Sequence, residues 1–221
     1  MDTTIPTYPL YLISPLRMEV DGEGVTTLVT SYGCPLKCAW CINEQAKICR
    51  EEIKRITVEE LYDRVKAHNL YYLATGGGLT FGGGEPLLQC DFLECFFQTY
   101  QTGWKYNLET SLAVPWENVE KLIPYIDYYI VDCKSMNAST YQAYTGCSGQ
   151  LMRENLQLLL KRVGADKIKV RIPFIPQYHT REEQEKSKEM LLAMGLTNIE
   201  CFSYVLREFH KKNMDKPADM E

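Results

Sequence analysis

Val25-Thr-Thr-Leu-Val-Thr-Ser-Tyr32 runs directly into Gly33-Cys34-Pro35-Leu36-Lys37-Cys38-Ala39-Trp40-Cys41, so a β-branched apolar run ends in a loop that carries three thiols. Such a run predicts a buried strand, because β-branched side chains suit a pleated surface. The loop predicts a ligand site at the carboxyl end of that strand. Three closely spaced cysteines can converge on an iron–sulfur cluster, leaving one iron of a four-iron cluster without a protein ligand. With Cys49 added, the same thiols could instead close a zinc tetrahedron. These cysteines alone leave both readings open.

The pattern repeats outward from this strand. Further strands are predicted over residues 79–82, 105–110, 128–132, 168–173 and 198–204. Between them the spacing predicts helices over 57–70, 87–99, 115–123, 150–163 and 181–194, the first capped by Thr57 with Glu60 three residues on. Strands alternating with helices of this length require parallel pairing, since each crossover returns the chain to the same end of the sheet. The class is α/β, either a partial (β/α) barrel or a doubly wound sheet. Both place ligands at the carboxyl ends of the strands.

Polar groups recur at those ends: Gly83-Gly84-Glu85-Pro86 after the second strand, Glu109-Thr110-Ser111 after the third, Asp132-Cys133-Lys134 after the fourth, Arg171 in the fifth and Tyr204 after the sixth. Any one of them could be a solvated loop or a local ion pair. Their recurrence at one end of successive strands points to a shared site.

Composition sets the broad class. A chain of 221 residues, 45% hydrophobic and 24% charged, can bury a sizeable core, which excludes a disordered tail. The net charge of −5, with no concentrated basic stretch, argues against nucleic acid as a partner. No apolar run approaches the roughly 18 residues of a membrane span, and the start carries no secretion signal, so a cytoplasmic location is expected. Nine cysteines are many, but an odd number in a chain of this length argues against a disulfide framework. With no linker or repeat, one domain over 1–221 is expected, its core over about 12–205 and a charged tail over 207–221.

Cys34-x3-Cys38-x2-Cys41 with Trp40, followed by Gly83-Gly84-Glu85-Pro86, resembles the radical S-adenosylmethionine (SAM) superfamily. Asp21-Gly22-Glu23-Gly24, Cys41-Ile42-Asn43, the run from Gly76 to Gln89 and Asp132-Cys133-Lys134 are similar, more narrowly, to its glycyl-radical-enzyme activating enzymes, the pyruvate formate-lyase type. The resemblance implies a partial (β/α)6 TIM-like barrel with a [4Fe-4S] cluster on Cys34, Cys38 and Cys41. It implies that SAM chelates the open iron, with Gly83, Gly84 and Glu85 around its amino group and Ala39 and Trp40 along the adenine. Asp132, Cys133 and Lys134 would lie by the ribose and carboxylate, Asp132 and Lys134 acting in catalysis, with Arg171 and Tyr204 also in the cofactor site. Glu109, Thr110, Asp132 and the Ile130 carbonyl match a monovalent-cation site, Glu109 standing where an Asp is typical. The implied activity is reductive cleavage of SAM, with electrons from flavodoxin or ferredoxin, and abstraction of a glycine Cα hydrogen from a partner glycyl-radical enzyme. Ile42 and Val205 stand where His is often found, and one cluster only is implied. Alternatives are a small-molecule radical SAM enzyme of the 7-carboxy-7-deazaguanine synthase kind, an activator of anaerobic ribonucleotide reductase, and a zinc-stabilised binding module.

Overall fold

A computed structural model describes residues 5–47 and 53–204. Eight strands form one sheet, β1 (Tyr8–Met18), β2 (Val25–Ser31), β3 (Arg55–Ile56), β4 (Gly78–Gly83), β5 (Lys105–Thr110), β6 (Tyr128–Asp132), β7 (Ile168–Phe174) and β8 (Asn198–Ser203). Their order is β3-β1-β2-β4-β5-β6-β7-β8. The six expected strands are β2 and β4 to β8, each paired in parallel with the next. That sequential order decides against a doubly wound sheet, which would reverse direction at a switch point. The result is an open, barrel-like sheet.

The two remaining strands were not expected. β1 contains Pro9 and Pro15, each lacking a ladder donor, and its antiparallel pairing with β2 slips between Leu10 and Leu12 and again between Ser14 and Arg17. A strand interrupted in this way loses the strict alternation by which strands are read. β3 is two residues long and pairs only with Tyr8 and Pro9. Together they carry the sheet beyond the expected start of the core at residue 12, with Tyr8 fully buried.

Seven helices are described: α1 (Val58–Val65), α2 (Asn69–Thr75), α3 (Cys90–Thr99), α4 (Trp116–Leu122), α5 (Ala138–Thr145), α6 (Gln150–Val163) and α7 (Arg181–Ala193). The capping box at the start of α1 forms as expected: Thr57 Oγ1 accepts from the Glu60 amide at 3.2 Å, and Glu60 Oε2 from the Thr57 amide at 2.9 Å. The helix expected over 57–70 instead breaks into α1, a 3₁₀ turn and α2. Asn69 accepts from Trp104 Nε1 at 2.7 Å, and Tyr72 donates to the buried Thr27 at 2.5 Å, so tertiary bonds carry the chain on to Gly76. α5 was missed because its buried side is Thr140, Tyr141, Tyr144 and Thr145, too polar to show an apolar stripe. Its caps were legible: Asn137 accepts from the Ser139 amide at 2.9 Å, and Gly146 ends the helix.

Alternation along the strands separates two environments. Phe81 of β4 and Tyr106 of β5 pack on Phe97 of α3, placing them on the helical side. Thr80 and Gly82, Asn107 and Glu109, Ile130 and Asp132, and Arg171 therefore face inward. The hydrophobic core lies between sheet and helices, while the inner face is polar.

Candidate functional site

β2 hands the chain to the cysteine loop, and backbone bonds hold that loop on two sides. The Gly33 amide donates to the Ala46 carbonyl at 2.8 Å, the Lys37 amide to Thr145 at 2.8 Å and the Ala39 amide to Tyr144 at 2.9 Å. The last two use carbonyls left open at the end of α5. Tyr144 Oη also donates to the Trp40 carbonyl at 3.1 Å, and Asn43 Nδ2 to the Gly83 carbonyl at 3.1 Å. Asn43 thereby ties the loop to the glycine-rich end of β4.

That end is glycine for a steric reason. A Cβ on Gly84 would lie 2.1 Å from the Gly33 carbonyl oxygen, inside any real contact, so only glycine lets β4 close on the cysteine loop. Glu85 turns inward. Its carboxylate accepts from Thr110 Oγ1 at 2.6 Å, from Ser111 Oγ at 2.6 Å and from the Ser111 amide at 2.9 Å. Burial raises the Glu85 carboxyl above its usual pKa, and the Ser111 and Thr110 donors offset part of that. Glu85 thus braces the end of β5.

One layer inward, four charges form a chain across β5, β6 and β7. Arg171 bonds Glu109 through Nη2 and Asp132 through Nε at 3.2 Å, and Lys134 Nζ donates to Asp132 Oδ2 at 2.9 Å. Burial alone would lower the Lys134 pKa, but Asp132 together with Tyr204, Cys38 and Tyr144 outweighs it and holds the ammonium well above the usual lysine range.

These elements enclose a cavity of about 360 Å³. Cys34, Cys38, Cys41, Trp40, Gly83, Gly84, Glu109, Thr110, Asp132, Lys134, Arg171 and Tyr204 all line it. Twelve of the expected site residues therefore meet in one place. Three stand apart: Ala39 is exposed, Glu85 is buried behind Thr110 and Ser111, and Cys133 is fully buried in the core, where burial pushes its thiol up to about 12. Cys49 and Val205 lie outside the described residues.

Residues 28–190 match the family model of the radical SAM superfamily. This chain belongs to the radical SAM superfamily. Similar curated proteins include the indoleacetate decarboxylase activating enzyme of Tractidigestivibacter scatoligenes, 27% identical and covering 74% of this chain and 72% of the relative. The (2S)-3-sulfopropanediol dehydratase activating enzyme of Klebsiella oxytoca is 29% identical, with 71% and 68% covered. The pyruvate formate-lyase-activating enzyme of Clostridium pasteurianum is 26% identical, with 91% and 86% covered. Among solved structures, Streptococcus suis SuiB bound to S-adenosylmethionine superposes with a TM-score of 0.62 at 15% identity, over 88% of this chain and 42% of that one, a likeness of fold.

Radical SAM membership brings a [4Fe-4S] cluster and SAM, and the cavity suits both. It offers three thiols, which bind iron as thiolates, beside carboxylates and cations that match a zwitterionic amino acid. Cys34 is partly exposed, and burial pushes its thiol up to about 12, so iron must displace a proton there. Among the described residues, no three His, Cys, Asp or Glu side chains are grouped to hold a single metal ion.

Sequence reading missed several residues that line this cavity. Arg17 near the end of β1 and the buried Asp21 in the turn after it, an ion pair, also line it, and Tyr144 enters from the unread helix α5. It also missed His179, which lies just before α7. Its Nε2 lies 2.8 Å from the Lys134 carbonyl, and its Nδ1 accepts from the Ile175 amide at 3.3 Å, so the neutral ring bridges the β6 and β7 exits. Burial lowers its pKa, and protonation would turn Nδ1 into a second donor facing the Ile175 amide. A histidine lowered on folding contributes stability present above its unfolded pKa of about 6.5 and lost as pH falls through the lower folded value. The denaturant midpoint of the protein is expected to drop between about pH 7 and pH 5, and His179→Gln to flatten that slope. An unchanged slope in the variant would assign the loss to other groups.

Proposed function

We propose that this radical SAM enzyme is an activase that generates a radical on a backbone glycine of a partner glycyl-radical enzyme. The observation that carries this reading is the meeting of Cys34, Cys38 and Cys41 with Glu109, Asp132, Lys134 and Arg171 around one cavity in the open sheet. The activating-enzyme names of its relatives support it. When bound, the reduced cluster supplies one electron that splits SAM into methionine and a 5′-deoxyadenosyl radical, which takes a hydrogen atom from the glycine Cα.

The chain's own residues bind and orient. Cys34, Cys38 and Cys41 hold three irons, and Lys134 and Arg171 present positive charge to the SAM carboxylate. Gly83 and Gly84, which line the cavity, receive the ammonium group, and Trp40 and Tyr204 shield the site from water. Cys133 and Glu85 act from behind, packing and bracing the strand ends. Ile42, 73% exposed on the rim of the cavity, is apolar surface for an incoming glycyl loop. A monovalent cation on Glu109, Thr110 and Asp132 is the expectation that the geometry fits least, as argued below. No described helix is long and apolar enough to cross a membrane. The reading places the enzyme in the cytoplasm as one domain, with flavodoxin or ferredoxin as electron donor.

The test uses protein reconstituted without oxygen, SAM and a reductant. With a glycyl-radical enzyme as partner, 5′-deoxyadenosine and a glycyl-radical signal in electron paramagnetic resonance are expected together. Deoxyadenosine formed with a purine-precursor substrate, and no radical on any partner protein, would overturn the activase reading in favour of small-molecule chemistry.

A further inference from the structure

Glu109 and Asp132 bring two carboxylates to neighbouring inward positions on β5 and β6, with side chains only 22% and 25% exposed. Two partly buried like charges need a cation between them, since each raises the cost of ionising the other. Arg171, 17% exposed on β7, supplies one: Nη2 bonds Glu109 Oε1 and Nε lies 3.2 Å from Asp132 Oδ1. A guanidinium is the side chain suited to span two carboxylates, because its donors are fixed in a planar fork.

Strand geometry explains why Glu109 makes this contact. β5 and β7 are separated by β6, and Glu109 is in register with Ile130 while Arg171 is in register with Asp132, so the two start about 12 Å apart, two inter-strand spacings across and two residues along. Asp132 is in direct register with Arg171 and needs little reach. Glu109 must cross a whole strand, and its additional methylene covers part of that distance. The other groups that a metal ion would use are engaged. Thr110 Oγ1 donates to Glu85 at 2.6 Å and accepts from the Leu112 amide at 2.9 Å. Lys134 completes the charge balance at Asp132 Oδ2, so two acids meet two cations without any added ion.

We propose that Arg171 is a built-in cation, its guanidinium clamped between Glu109 and Asp132 where a monovalent metal ion would otherwise neutralise them, so that SAM binds without sodium or potassium. The N–H groups of Arg171 not used by the two acids remain for the SAM carboxylate, which makes one side chain serve both needs. This inference rests on the cavity being the SAM site.

The test measures SAM affinity on cluster-loaded protein, from the change in the reduced cluster's electron paramagnetic resonance, in sodium, potassium and tetramethylammonium chloride at equal ionic strength. The unsubstituted protein is expected to bind SAM within about twofold in all three salts. Arg171→Gln leaves Glu109 unpaired and Asp132 with Lys134 alone, and is expected to bind SAM roughly tenfold tighter in sodium or potassium than in tetramethylammonium, within the usual range of coupling between two ligands. Glu109→Asp, a gentler change, is expected to acquire the same preference because the shorter acid releases the guanidinium. A tenfold loss by the unsubstituted protein in tetramethylammonium would overturn the inference, as would indifference of both variants to salt. A cluster signal that SAM does not change in any salt would overturn the reading of the site itself, and the inference with it.

Discussion

Cys38→Ala protein, reconstituted without oxygen, is expected to recover almost none of the iron and sulfide of the unsubstituted enzyme, to lose its visible absorbance and to form no 5′-deoxyadenosine. On the proposed ligand set three thiolates would hold three of the four irons, and a cluster with only two protein ligands would have two open irons exposed to solvent and reductant. The loss should be chemical rather than structural. The loop is fixed by bonds that do not involve the thiol: the Lys37 and Ala39 amides on the last carbonyls of α5, Tyr144 on Trp40, and Asn43 on Gly83. Far-ultraviolet circular dichroism and the thermal midpoint of the cluster-free protein should therefore change little. Cys147 gives the control, since its Sγ lies 3.7 Å from the Pro35 carbonyl, against the same loop. Cys147→Ala is expected to keep the cluster. Iron and sulfide retained in full by Cys38→Ala would remove Cys38 from the ligand set.

The second large effect is expected at Gly84, with no change in any charge or ligand. An alanine Cβ there would sit 2.1 Å from the Gly33 carbonyl oxygen and 2.9 Å from that of Ser31, and both neighbours are backbone that cannot rotate away. β4 would have to separate from the cysteine loop, breaking bonds from the Gly84 amide to Ser31 at 3.0 Å and from the Glu85 amide to Gly33 at 2.7 Å. A loss of about 3 kcal/mol or more is expected, at the upper end of single substitutions. The comparison is Gly76→Ala, where φ is +70° and nothing lies within 4 Å of the added carbon. Only the left-handed backbone penalises that change, by about 1 kcal/mol. Urea denaturation of the two variants separates the effects: equal losses would mean that close packing at Gly84 is not what its glycine serves. Gly84→Ala should also impair cluster retention, because the displaced backbone carries Cys34.

The Gly83-Gly84-Glu85 run shows how sequence can place a residue beside a site without giving its side-chain partners. Its position beside the site was readable from sequence, and Gly83 and Gly84 do line the cavity. Glu85 was expected at the ligand, yet its carboxylate is taken up by Thr110, Ser111 and the Leu87 amide. Nothing local to residues 83–86 could show this, since the donors of its three shortest bonds lie 25 and 26 residues away, on Thr110 at the end of β5 and Ser111 just beyond it. Ala39 is the converse case: adjacent to a ligand cysteine in sequence, it is turned outward because its amide is fixed to α5.

The amino-acid sequence by itself determined the six parallel strands, the helices with apolar stripes and the three-cysteine loop at the end of β2. These signals are local: the strand and helix periods, cap residues, and ligand spacing within eight residues of chain. Tertiary structure alone decided the sequential strand order, the slipped strand β1, and helix α5 with its polar buried side. It also decided which polar groups meet: Arg171 with Glu109 across a strand, and His179 with the Lys134 carbonyl. The physical reason is that pairing between distant residues depends on strand register and side-chain reach, and neither is carried by the period of any one segment.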